Sequence, residues 1–126
     1  MIQKDRRPVF LDITRIDLPI TAVISIIHRM TGILFFLLIP PLIYLFDLSL
    51  SSRQGFETTS DLLDHWLART LLVFLSWGFA HHLLAGIRYL LIDIDIGVEL
   101  VPSRISAWCV VGGGLIVLFA VSLAVL

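Results

Sequence analysis

One cysteine, Cys109, stands among the 126 residues. An internal disulfide framework and a cysteine-based metal cluster are thereby excluded. Charge is scarce too: Asp, Glu, Lys and Arg make up 15% of the chain, against roughly 25% in soluble domains. The formal net charge of −1 argues against nucleic acid as a partner, because phosphate binding needs clustered Lys and Arg. Residues 1–20 contain no apolar run that could serve as a signal-peptide core and no cleavage pattern. Asp5, Asp12 and Asp17 interrupt that stretch, which is unlike the acid-poor presequences of mitochondrial proteins. There is no internal repeat and no low-complexity segment.

What the chain does have is apolar surface. Hydrophobic residues account for 58% of it, and the mean hydropathy is +0.98. A soluble domain this small could not hide that surface, since small domains bury the smallest fraction of theirs. The reading is a single all-α membrane domain covering residues 1–126, with three transmembrane helices. A hydrocarbon core of about 30 Å needs about 20 apolar residues in a helix, and the charges leave three such segments. They are placed at about 20–46, 69–90 and 104–126. Asp17 is a candidate N-cap for the first, and a proline such as Pro19 is tolerated in a first turn. Pro40 and Pro41 fall inside the first span and should kink it or thin its last turns. In the loop from Asp47 to Arg69, Ser60 followed by Asp61 and Asp64 suggests a short surface helix with an acidic first turn. Trp66 and Trp108 fall near the expected membrane edges, where indole rings are favoured.

Lys and Arg in the flanks give the orientation. Lys4, Arg6, Arg7, Arg15, Arg88 and Arg104 share one side, with Arg29 just inside it, whereas the other side holds Arg53 and Arg69. The N-terminus is therefore expected in the cytoplasm and the C-terminus in the periplasm, in a bacterial inner membrane.

Ionisable side chains inside a span are costly, so each one calls for an explanation. Ser25, His28 and Arg29 are spaced i, i+3, i+4 and lie on one helix face, with Thr31 close by. A guanidinium, an imidazole and a hydroxyl together can cradle carboxylates or a carbonyl oxygen. The competing reading is that Arg29 snorkels to headgroups and His28 accompanies it. In the second span, Gly78, His82 and Gly86 recur every four residues, next to His81 and Arg88. A histidine flanked by glycines one turn above and below leaves room for a flat macrocycle, and neutral imidazole is a normal axial ligand of haem iron. The competing reading is helix packing through small residues; His81 points elsewhere and is read as a packing residue. Six residues separate His82 from Arg88, which is about 9 Å of helix. That places His82 at the depth of His28 and Arg29, so polar groups from two helices should meet in one layer.

These residues resemble a known family, the cytochrome b membrane-anchor subunit of succinate dehydrogenase (respiratory complex II). Arg7-Pro8-Val9, Ile13 and Ile20 are followed by Ser25-x-x-His28-Arg29-x-Thr31. This is similar to the family's N-terminal signature, RP followed by SxxHRxT or SxxHRxS. His82-x-x-x-Gly86-Ile87-Arg88, with Asp93 following, resembles the second signature. Ser51-Ser52 and Gly55-Phe56-Glu57 resemble the enterobacterial form of the outer loop. The likeness runs from about Arg6 to the end. Two departures stand out: Tyr89 occupies a position where many relatives have histidine, and Ile92 one where an aromatic or methionine is usual.

The resemblance implies a haem b held between this chain and a second three-helix anchor subunit. His82 would be one axial ligand of the iron, and His28 and Arg29 would neutralise the haem propionates. Ser25 and Arg29 would line a ubiquinone pocket against an iron–sulfur subunit, itself fed by a flavoprotein that oxidises succinate. Asp93 and Asp95, just past the second span, could deliver protons. The same architecture serves the anchor of a quinol:fumarate reductase, and a structural anchor without redox role would use the polar residues for packing alone.

Overall fold

The computed structural model describes residues 17–126. Lys4, Arg6, Arg7 and Arg15, used above for orientation, and the Arg7-Pro8-Val9 and Ile13 elements of the resemblance lie outside the described residues. Within them the chain forms four helices: α1 (Ile20–Ser51), α2 (Arg53–Asp64), α3 (Trp66–Asp93) and α4 (Leu100–Val125). The three long helices are each long and apolar enough to cross a membrane.

Helix α1 begins two residues later than the Asp17 cap implies. Pro19 is the N-cap, extended at φ −64° and ψ 150°. Its carbonyl accepts from the backbone N–H groups of Ala22 (2.9 Å) and Val23 (3.2 Å). The proline also biases Leu18, which precedes it, away from helical geometry, so the helix cannot start at Asp17. At the other end α1 runs through Pro40 and Pro41 to Ser51. The prolines withdraw two backbone donors, yet the helix continues for ten residues beyond them. Its 32 residues give about 48 Å of helix, well beyond the hydrocarbon thickness.

Helix α2 corrects the expectation for the loop. The helix starts at Arg53 and ends at Asp64, so Asp61 and Asp64 occupy its last turn. Its N-cap is Ser52, whose hydroxyl accepts from the Gly55 N–H at 3.0 Å. That cap starts the helix eight residues before Ser60, which is already helical. Gly55 is buried where α2 folds back on α1. A Cβ there would collide with the Leu48 carbonyl oxygen and sit 2.8 Å from Ser51 Oγ. The acidic end of α2 is met by Arg69, whose Nη2 lies 3.0 Å from Asp64 Oδ1.

Helices α3 and α4 are joined by a tight stop. Asp95 takes a left-handed φ of 62°, its N–H bonds the Ile92 carbonyl at 2.9 Å, and the Ile96 N–H bonds the Leu91 carbonyl at 2.9 Å. This pair of reversed bonds ends a helix by satisfying its last carbonyls. Asp95 thus has a structural task at the helix stop.

The core is small. Ile24, Ala85, Ala107 and Val110 are buried where the three long helices meet, with Ile20, Leu84, Tyr89 and Val111 packed around them. Elsewhere the large apolar side chains face outward, among them Phe36 (72% exposed) and Leu123 (73%). Trp66 and Trp108 are exposed as well, as rings that face a membrane boundary must be. In lipid such outward faces carry no hydrophobic cost, and close packing through small residues holds the helices together.

Candidate functional site

The site lies between α1 and α3. Thr31, one helical turn past Ile27, turns its hydroxyl back on its own helix, 2.9 Å from the Ile27 carbonyl and 3.0 Å from that of His28. The hydroxyl hydrogen is committed to one of these carbonyls, which leaves Oγ1 as an acceptor. His82 Nδ1 of α3 lies 3.0 Å from that oxygen and 3.2 Å from the His28 carbonyl. Both neighbours of Nδ1 are therefore acceptors, and the proton belongs on Nδ1. The lone pair is then on Nε2.

The His28 ring lies on the His82 ring, centroids 4.2 Å apart and planes 9° from parallel. Tyr89 meets His28 edge-on at 5.2 Å, and Phe35 meets His82 edge-on at 5.8 Å. His28 and His82 are thus in one layer, as the sequence spacing predicts. Face-to-face stacking also means that these two imidazoles do not oppose each other across a shared metal.

The glycines need a correction. Spacing suggested that Gly78 and Gly86 clear space beside His82 for a flat ring. A Cβ on Gly86 would instead meet His28 Nε2 at 3.6 Å, and one on Gly78 would meet Phe35 Cζ at 3.6 Å and Thr31 Cγ2 at 3.7 Å. Helix α1 side chains therefore pack on this face of α3, at distances a Cβ would meet in ordinary van der Waals contact. At this α1–α3 contact the tighter approach is to Gly32 of α1, which sequence reasoning did not single out. A Cβ there would stand 3.2 Å from His82 Cε1. Its signal was available, since Gly32 follows His28 by four residues and shares its face.

The other candidates fall around this pair. Ser25 is half-buried and Arg29 is exposed on α1, so the guanidinium is open to a ligand or a partner. His81 is 2% exposed, tilted against Trp77 at 5.8 Å and beside Gly114 of α4. It packs α3 against α4, as read. Arg88 is the larger surprise. It is buried, and its guanidinium bonds Ser103 and Ser106 of α4. The pattern was legible only in part: Ser103 and Ser106 share a face at i, i+3, but nothing in the chain says which cation they meet.

A family model described as Succinate dehydrogenase/Fumarate reductase transmembrane subunit matches residues 3–123. Among curated proteins, the succinate dehydrogenase cytochrome b556 subunit of Coxiella burnetii is 36% identical over 107 residues, 83% of this chain and 85% of that protein. The protein of the same name from Rickettsia prowazekii is 31% identical over 107 residues, 85% of this chain and 83% of that one. The one from Paracoccus denitrificans is 27% identical over 115 residues, 91% and 88% respectively.

Proposed function

This chain belongs to the succinate dehydrogenase/fumarate reductase transmembrane subunit family, and from that premise we propose that it is the haem b-binding anchor of a bacterial succinate:ubiquinone oxidoreductase. The observation that carries the haem assignment is the state of His82. Its Nδ1 is held by Thr31 Oγ1 and the His28 carbonyl, which leaves Nε2 as a donor atom. Histidines that bind metals almost always anchor their other ring nitrogen in this way. The donor set therefore fits a haem iron, which His82 would ligate together with a histidine of a second three-helix anchor subunit. His28 and Arg29 are assigned to the propionates. The haem, when bound, supplies one-electron redox chemistry in the membrane.

Ser25 and Arg29 are assigned to ubiquinone. Reducing a quinone to a quinol takes two electrons and two protons, and negative charge develops on its oxygens. A hydroxyl and a guanidinium fixed at those oxygens stabilise that charge where water is excluded. The electrons come from an iron–sulfur subunit docked on the cytoplasmic face, which a flavoprotein supplies by oxidising succinate. The name shared by the relatives, succinate dehydrogenase, supports this direction over quinol:fumarate reduction.

The assembled complex, co-expressed with its partner subunits, is expected to show a b-type reduced-minus-oxidised spectrum. A spectrally silent wild-type complex with full succinate oxidation would overturn the haem assignment. The orientation has its own check. A reporter active only in the periplasm, fused after Leu126, should be active, and its silence would reverse the topology.

A further inference from the structure

Helices α3 and α4 enclose a second feature, a groove of about 530 Å³ at the end of the bundle where the α3–α4 stop lies. Its volume is within the range of ligand sites, roughly 300–1,000 Å³. Ile87 and Leu91 of α3 and Ile105 and Cys109 of α4 give it apolar walls, and Arg88 and Ser106 supply polar groups.

Arg88 is buried, with 5% of the residue exposed. Its Nε donates to Ser106 Oγ at 3.0 Å. Its Nη2 donates to Ser103 Oγ at 2.8 Å and to the Ser103 carbonyl at 3.3 Å. All of these acceptors are neutral. Among the described residues no carboxylate pairs with Arg88, and the ion pairs Arg53–Glu57 and Arg69–Asp64 involve α2 and the start of α3. Nη1 makes no hydrogen bond among the described residues, and it is not one of the sealed, unpartnered atoms, which are His81 Nε2 and Tyr89 Oη. Two guanidinium donors of this groove-lining residue thus have no partner among the described residues.

The N-terminal end of α4, with Glu99 as its N-cap residue, lies at the same end of the groove. Glu99 makes no side-chain cap, and the N-terminal end of a helix carries partial positive charge. A buried cation with no counter-charge among the described residues is strongly unfavourable and calls for an anion. The anion must come with an apolar body, because the groove that leads to Arg88 is apolar and belongs to a chain whose outer faces meet lipid.

We propose that this groove binds one anionic phospholipid, with a phosphate oxygen accepting from Arg88 Nη1 and an acyl chain lying between Ile87, Leu91, Ile105 and Cys109. The site stands apart from the His28–His82 pair and does not rest on haem or quinone binding. It pins the α3–α4 end of the anchor to the membrane surface.

The test uses the assembled complex, equilibrated in vesicles of equal phosphatidylglycerol and phosphatidylethanolamine and then released for native mass spectrometry. Both lipids offer a phosphate to Arg88, but phosphatidylethanolamine also brings an ammonium beside the buried cation, so phosphatidylglycerol should be retained on the complex about tenfold over it. Cys109→Trp fills the groove without touching the guanidinium, and Arg88→Gln removes the charge. Each should lower retained phosphatidylglycerol about fivefold or more, whereas Arg104→Gln, at an exposed position, should not. Equal retention of the two lipids overturns the proposal, as does undiminished retention in Cys109→Trp. If Arg88→Gln fails to assemble, Cys109→Trp decides alone. Loss of the second anchor subunit from Arg88→Gln, with lipid retention intact in Cys109→Trp, would assign the missing anion to that subunit and also overturn the proposal.

Discussion

Replacing His82 with alanine is expected to abolish the b-type spectrum of the assembled complex, with haem content falling by at least about tenfold, since loss of even a supporting partner of a metal ligand costs 10–100-fold in affinity. The same substitution removes the partner of Thr31 Oγ1 and of the His28 carbonyl, so complex yield must be followed separately. Succinate oxidation with a water-soluble artificial acceptor serves that purpose, because it bypasses the membrane. The expected result is a normal rate in that assay alongside a missing haem band. An unchanged band would move the ligand elsewhere, and the stacked His28 would be the first place to look. Loss of both signals would mean that His82 acts in assembly through its contacts with α1.

Arg29→Leu is expected to lower quinone reductase activity by a factor on the order of 10², the usual loss when a donor to a developing oxyanion is removed. Ser25→Ala should cost about tenfold, as befits one neutral hydrogen bond. Neither change should alter succinate oxidation with the artificial acceptor. Arg29 is exposed and Ser25 half-buried, so neither side chain supports the small core of Ile24, Ala85, Ala107 and Val110. A parallel fall in both assays would remove the quinone assignment and point to docking of the iron–sulfur subunit. The haem band offers a further separation. Ser25→Ala should leave it in place, whereas Arg29→Leu should shift its midpoint potential if the guanidinium also faces a propionate.

The membrane fold was legible because its signal is one of quantity. Long uncharged segments leave a backbone no option in lipid except helix, and each long helix found runs past its expected span at one end or both. Boundaries were less legible where local hydrogen bonds compete. Ser52 caps α2 before Ser60 has the chance, and Pro19 sets the start of α1 two residues after the Asp17 candidate. The histidine layer was legible too, because rise per residue from a common membrane edge places His28 and His82 at one depth. The glycine column was misread for a simple reason: spacing identifies which residues share a face, and says nothing about what the face meets.

Sequence by itself determined that this is a three-span membrane protein and that its few polar residues concentrate at His28, Arg29, His82 and Arg88, since the cost of placing such groups in lipid makes their positions conspicuous. Only the tertiary structure decided their partners. Packing α1 on α3 brings the Thr31 hydroxyl and the His28 carbonyl to one nitrogen of His82 and leaves the other free. Packing α4 on α3 buries Arg88 among neutral hydroxyls. Those outcomes depend on the angle and register at which helices meet, which are set by close packing at Gly32, Gly78, Gly86 and Gly114 and are written in no single segment of the chain.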